Sequence, residues 1–333
     1  MTPATLTEMQ SLSRRGFFGA AAAAGLLMAT ACSSKKSSNG SPSSVTVKHV
    51  FGETAVPAPP KRVVSAGLTG QDDLLAVGVV PIAVTNWWGD QPFAVWPWAQ
   101  PKLGQGQPVV LSLDNGIDFD KIAAQKPDLI VATNAGVDKD TYDRLSKIAP
   151  TIPQSDDYPF FEPWKVQAAA IGQAVFQTDQ MKSLISDIDN KFTEAGNAHP
   201  QFKDKRALIL QGRFDRDNVV ATLGWRTEFL TQMGFVVPDG VKAFGVDDNR
   251  AIIPRDKAVD ALGGADVLIW TTESDDEKAR LTADPTFMQL RSTAQKRNVF
   301  TGKDLSGAIG FSSPLSLPVV ATQLPPMLAP VVG

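Results

Sequence analysis

Cysteine, histidine and tyrosine are scarce in this chain: one, two and two among 333 residues. A single cysteine, Cys32, excludes any internal disulfide, so a packed core must hold the fold. Two isolated histidines, His49 and His199, do not supply the clustered ligands of a zinc or manganese site. A Ser-His-Asp triad would need one of them, yet neither falls at an expected strand end. No Gly-x-Ser-x-Gly elbow and no phosphate-cradling glycine loop is present. These absences argue against an enzyme. Charge is nearly balanced, 32 basic against 35 acidic residues, and offers nucleic acid no electrostatic footing.

What is present begins with an N-terminus unlike the rest. Arg14 and Arg15 stand inside Ser13-Arg14-Arg15-Gly16-Phe17-Phe18. An alanine-rich stretch, 16–31, follows and is too short for a comfortable membrane span. It ends in Ala29-Thr30-Ala31-Cys32, with alanine at 29 where leucine is commoner. The pattern resembles a lipoprotein signal peptide behind a twin-arginine export signal. It implies a signal peptide over 1–31, cleavage before Cys32, lipid on its thiol and placement on the extracytoplasmic face of the cell membrane. Residues 33–44 hold only Ser, Lys, Asn, Gly and Pro, so 32–44 reads as a flexible tether. From Cys32 onward 30 basic residues face 34 acidic ones, a net charge of −4. No later segment is long and apolar enough to cross a membrane.

The remainder alternates strand and helix. In a first lobe, 45–160, strands are expected at 62–66, 81–85 and 128–132, with helices at 71–77, 119–125 and 138–148. The strands are apolar on both faces, which predicts a parallel sheet covered on both sides. Between 161 and 197 apolar residues recur at helical spacing, Val166, Ala170, Met181, Leu184, Ile188 and Phe192 among them. They predict one long helix, or two segments if Thr178 or Asp179 caps the second. A second lobe, 198–333, repeats the alternation. Its strands are expected at 206–211, 218–222, 266–270 and 298–300, its helices at 225–233 and 254–262, and a final helix near 313.

In sequence order these blocks resemble the substrate-binding proteins of iron-siderophore, haem and cobalamin ABC importers. The resemblance is carried by Pro60-Lys61-Arg62-Val63-Val64-Ser65 and Ile117-Asp118-Phe119-Asp120-Lys121-Ile122. Further blocks are Lys126-Pro127-Asp128-Leu129-Ile130, Leu145-Ser146-Lys147-Ile148-Ala149-Pro150, and Ile253-Pro254-Arg255-Asp256. It implies an α/β fold of two Rossmann-like lobes joined by one long backbone helix, with the ligand cleft between them. It also implies a ferric siderophore as cargo, an importer permease as partner, no intrinsic cofactor, and a monomer. Acidic residues at the positions of Asp120 and Asp256 dock onto the permease in that family; glutamate is usual where both stand. As charges in the first turn of a helix they also have a plain stabilising role.

Ligands of open α/β sheets sit beyond the carboxyl ends of strands. That rule selects Thr69, Trp87, Trp88 and Asn134 in the first lobe. In the second it selects Arg213, Arg216, Trp225, Arg226 and Trp270, with Phe311 before the last helix. Aromatic faces and arginines suit catecholate, carboxylate and ring-bearing ligands. Two rivals remain: haem or a corrinoid in the same fold, and a cell-surface scaffold lipoprotein without transport. Tyr142 and Tyr158 are the tyrosines that could serve haem as axial ligand.

Overall fold

The computed structural model describes residues 43–214, 217–247 and 249–333. The described residues belong to one compact unit, Ser41–Gly333. The expected signal peptide 1–31, Cys32, nearly all of the expected tether and Arg216 lie outside the described residues. No helix among the described residues is long and apolar enough to cross a membrane.

A hairpin comes first, β1 (Val45–His49) antiparallel to β2 (Gly52–Val56). The first lobe then builds a sheet from β3 (Val63–Ser65), β4 (Ala83–Thr85), β5 (Val109–Leu111), β6 (Leu129–Val131) and β7 (Thr151–Ile152). Its order is β5-β4-β3-β6-β7 and every pair is parallel. Each residue of β3, β4 and β6 is buried, as a sheet with helices on both faces requires. Helices Phe119–Ala124 and Lys139–Ser146 start where Asp118 and Asp138 accept the amides of Lys121 and Thr141. The loops after β3 and β6 cross at Gly67. A Cβ there would lie 1.7 Å from the Thr133 carbonyl oxygen, so the crossing needs glycine.

The second lobe is less regular than its sequence pattern suggests. Its strands are β8 (Ala207–Gln211), β9 (Asn218–Thr222), β10 (Gly245–Asp247), β11 (Arg250–Pro254), β12 (Val267–Thr271) and β13 (Asn298–Phe300). They run β10-β11-β9-β8-β12-β13. Only β8, β12 and β13 are parallel; β9, β10 and β11 form an antiparallel edge. The expected simple alternation is corrected there. β11 buries every second residue, the signature of a sheet covered on one face.

The helical connection between the lobes is made of two segments, Trp164–Ala174 and Thr178–Ala198. Phe176 takes a left-handed conformation at φ 61°, and Gln177 donates its amide back to Gly172 O at 2.7 Å. This closes the first segment as a glycine cap would. Of the two arrangements expected over 161–197, one long helix or two segments, the structure has two, the second starting at Thr178. Ile171, Met181 and Phe192 of these helices are buried together with Leu74 and Val131 of the first lobe and Ile209 and Ile269 of the second. Each such side chain contributes roughly 2 kcal/mol of hydrophobic stabilisation. One core thus runs through both lobes, and wide separation of the lobes would open it.

Candidate ligand-binding cleft

A cavity of about 410 Å³ lies at the carboxyl ends of β4, β8 and β12. That is within the usual small-molecule range of roughly 300–1,000 Å³. The first lobe gives it Trp87 and Trp88, which follow β4. The second lobe gives Gln211, Gly212 and Arg213 at the end of β8, and Thr271 and Glu273 at the end of β12. Glu277, Arg226, Ile309 and Gly310 complete its walls.

The tryptophan wall is anchored in depth. Trp87 and Trp88 meet edge to face with ring centres 4.0 Å apart. Behind Trp88 stand Trp96 at 5.5 Å and Phe311 at 5.4 Å, and Trp96 stacks on Trp98 at 4.9 Å. Trp98 Nε1 donates to Asp72 Oδ2 at 2.8 Å, which fixes the inner end of the stack. The helix Lys303–Phe311 supplies its floor. A Cβ on Gly310 would fall 2.5 Å from Trp88, and one on Gly307 would fall 2.5 Å from Trp96. Two glycines three apart on one helix face let the indoles approach the helix backbone closely. Aromatic pairs of this kind add about 0.5–1.5 kcal/mol each beyond burial.

The opposite wall is charged. Arg226 is half-buried; its Nη2 donates to Gly310 O at 2.7 Å, and its guanidinium lies over the Phe161 ring at 4.8 Å. Burial, and then repulsion from Arg250, pull its pKa down to about 10, so it stays cationic at neutral pH. Arg213 is exposed at the rim. Glu277 is held by the helix start: its Oε2 accepts the Glu273 amide at 2.6 Å, while Ser274 Oγ accepts the Glu277 amide at 3.1 Å. A second cavity of about 390 Å³, lined by Tyr158, Phe160, Phe161, Asn249 and Arg250, shares Arg226 with the first.

The periplasmic binding protein family matches residues 63–305. The chain belongs to that family. A solved periplasmic solute binding protein from Mycobacterium smegmatis str. MC2 155 is 60% identical with a TM-score of 0.83, over 87% of this chain and 99% of that one. A Bacillus subtilis (strain 168) protein named as a probable siderophore-binding lipoprotein, YfiY, is 30% identical over 201 residues. That match covers 58% of this chain and 58% of the length of YfiY. Streptococcus pneumoniae TIGR4 PiaA, solved in complex with ferrichrome, shares the fold with a TM-score of 0.71 at 24% identity, over 86% of this chain and 98% of that one.

Within this periplasmic binding protein, four of the residues expected at the ligand line the main cavity or its rim: Trp87, Trp88, Arg213 and Arg226. Trp270 does not. It is fully buried, packs on Phe214 and Phe287, and donates Nε1 to Asn298 Oδ1 at 2.9 Å. The strand runs to Thr271, one residue past the expected end, so Trp270 belongs to the sheet core and Thr271 to the cavity. Phe311 is also buried, as backing for Trp87 and Trp88. Trp225 turns away from the main cavity and donates Nε1 to Phe161 O at 3.1 Å. Glu273 and Glu277 were missed; reading the strand to Thr271 would have brought Glu273 within the strand-end rule.

Thr69 and Asn134 are corrected as well. Both are buried, and Asn134 Nδ2 donates to Thr69 Oγ1 at 3.3 Å. Gln167 Nε2 donates to Thr69 Oγ1 at 3.0 Å and to Asp73 Oδ2 at 2.6 Å, and Asn134 Oδ1 accepts the Phe161 amide at 2.9 Å. They are struts beneath the cleft. Beside them lies a layer of buried acids. Burial pushes Asp72 up to about 6 against opposing hydrogen bonds from Ser313 and Trp98. It pushes Glu162 up to about 7 and Asp73 well above the usual carboxylate range. Ser313 Oγ donates to Asp72 Oδ2 at 2.5 Å, which ties the first lobe to the start of the last helical segment.

Asp120 and Asp256 are both exposed, each in the first turn of its helical segment, and Lys257 Nζ lies 3.5 Å from Asp256 Oδ2. His49 is buried in β1, where Nε2 shares a hydrogen bond with Thr54 Oγ1 at 3.0 Å, and His199 ends its helix stacked on Phe202. Tyr142 OH also reaches His49, at 3.3 Å, and so sits away from the cavity. Among the described residues, no group of three His, Cys, Asp or Glu side chains is placed to hold a metal ion.

Proposed function

We propose that this chain is an extracytoplasmic receptor that captures a ferric siderophore and delivers it to an ABC importer permease. The observation that carries the reading is the 410 Å³ strand-end cavity between the core-anchored Trp87–Trp88 pair and the charged wall of Arg213, Arg226, Glu273 and Glu277. Broad indole faces accommodate the apolar arms or rings of a chelate, while fixed guanidinium donors meet its oxygens. The likeness to a probable siderophore-binding lipoprotein supports the same reading. The metal is cargo, already wrapped by its own chelator, and needs no protein ligand.

In this reading the twin-arginine pair Arg14-Arg15 directs export, lipid on Cys32 holds the chain at the membrane, and a monomer presents Asp120 and Asp256 to the permease. Closure on the ligand is modest, because the shared core and the Asp72–Ser313 and Trp225–Phe161 contacts already join the lobes. Titrating the protein with ferric chelates, haemin and cobalamin while following tryptophan emission tests the cargo. Quenching by ferric chelates is expected. A response to haemin or cobalamin alone would move the assignment to the haem and corrinoid branch, and no response to any would favour a scaffold. Charge reversal at Asp120 and Asp256 together is expected to leave binding intact and abolish uptake by cells.

A further inference from the structure

Among the described residues, the cavity walls carry as many carboxylates as guanidiniums. Arg213, Arg226, Glu273 and Glu277 together form the charged wall. A site built for a multiply charged anion has the opposite balance, an excess of cations with carboxylates kept away. Arg226 is also committed in part, to Gly310 O at 2.7 Å and to the faces of Phe161 and Trp225 at 4.8 and 5.7 Å. Glu277 is a fixture of the local fold, its Oε2 accepting the Glu273 amide at 2.6 Å. Glu273 stands two residues past the end of β12, exposed at the rim.

We infer that Glu273 and Glu277 act as a charge filter, so that the cleft admits neutral or monocationic ferric chelates and rejects strongly anionic ones. This rests on the siderophore reading above and narrows its substrate class. A ferric trihydroxamate is neutral, because three singly charged hydroxamates balance the ferric ion. A ferric tricatecholate keeps three negative charges. Against such an ion each nearby carboxylate works by like-charge repulsion, a discrimination by exclusion. At roughly 8 Å in a solvent-exposed rim the repulsion amounts to about tenfold in affinity per carboxylate. Haem, with two carboxylates of its own, meets the same filter.

The test uses the purified full-length protein and three probes: a neutral ferric trihydroxamate, one bearing a primary ammonium, and a trianionic ferric tricatecholate. Affinity is read by tryptophan quenching at low and high salt. Both hydroxamates are expected to bind at least tenfold more tightly than the tricatecholate at low salt, with the gap narrowing as salt screens the rim. Glu273→Gln is expected to shift the ratio of tricatecholate to neutral-chelate affinity about tenfold toward the tricatecholate. Glu273→Lys should carry the change further in the same direction. Because Glu273 is exposed, these variants probe charge rather than folding. Equal or tighter binding of the tricatecholate by the unmodified protein, or an unchanged preference in both variants, overturns the filter but leaves siderophore binding standing. Failure of all three probes overturns both.

Discussion

The two walls of the cleft are built on different principles. The first-lobe wall is aromatic and reaches into the core: Trp87 and Trp88 rest on Trp96, Trp98 and Phe311, and that stack is pinned by Asp72. The second-lobe wall is charged and shallow: Arg213, Glu273 and Glu277 sit at strand ends and a helix start, with solvent close by. Rigid, buried rings supply affinity, because little side-chain freedom remains to be lost on binding. Exposed charges supply selection and encounter, because water and salt screen their energy but not their sign. The comparison implies that stability and affinity should respond on the aromatic side, and preference among ligands on the charged side.

The largest effect is expected at Trp96, which is 1% exposed and touches Trp88 of the cleft and Trp98 in the stack beneath. Trp96→Ala should lower the unfolding free energy by about 3–5 kcal/mol. Denaturant unfolding measures this, and ligand affinity should fall with it as Trp88 loses its support. A loss below about 1 kcal/mol would mean that the aromatic wall is not continuous with the core.

The acid layer under the cleft gives the next effect, through pH. Glu162 shifts from 4.5 to about 7 on folding and Asp72 from 3.8 to about 6, both chiefly through burial. The folded chain therefore binds these protons more tightly than the unfolded chain does. Their stabilisation is complete below about pH 4 and is lost as pH rises through 6 to 7. For Glu162 alone the loss is on the order of 3 kcal/mol. His49 opposes it in part, since burial lowers its pKa and stability falls as that ring is forced to protonate. Glu162→Gln separates the two: its melting temperature should exceed that of the unmodified protein at pH 8, and the difference should vanish near pH 4. A constant difference across that range would contradict the assignment.

The first lobe was legible because its cues are local. β3, β4 and β6 are short apolar runs, and Asp118 and Asp138 announce their helices. The second lobe hid its antiparallel edge, since β10 is three exposed residues, β11 buries only every second residue, and no helix-length segment separates them. The break near Phe176 was legible only as an alternative, through Thr178 or Asp179 opening a second segment, because the left-handed residue is a phenylalanine where glycine would have marked it. Trp87, Trp88, Arg213 and Arg226 were recoverable from the strand-end rule, which needs only approximate boundaries. Trp270 was misplaced by one residue of boundary error, enough in a strand to turn a side chain from cleft to core. Gly307 and Gly310 carried no signal readable alone, because their role exists only when the tryptophans lie on them.

Trp87 tests the aromatic wall at its surface. It is half-buried where Trp96 is fully buried, so Trp87→Ala should cost much less stability. Its expected effect is on binding, a loss of about 30-fold for a ferric chelate, as for an aromatic anchor at an interface. Titration of the variant measures it through the remaining tryptophans. Unchanged affinity would place the ligand against the second lobe alone.

Arg213 sharpens the other side, with the smallest effect. It is exposed at the cavity rim, so Arg213→Ala should leave unfolding unchanged within about 0.5 kcal/mol. Affinity for a neutral chelate should fall by roughly three- to tenfold, mostly at low salt, because a rim charge acts through a screened field. The same titration at low and high salt separates the two walls directly. The Trp87 loss should persist in salt and the Arg213 loss should fade. A salt-independent loss of about 100-fold at Arg213 would make it a desolvated anchor, and the division of labour between an aromatic wall for affinity and a charged wall for selection would fail there first.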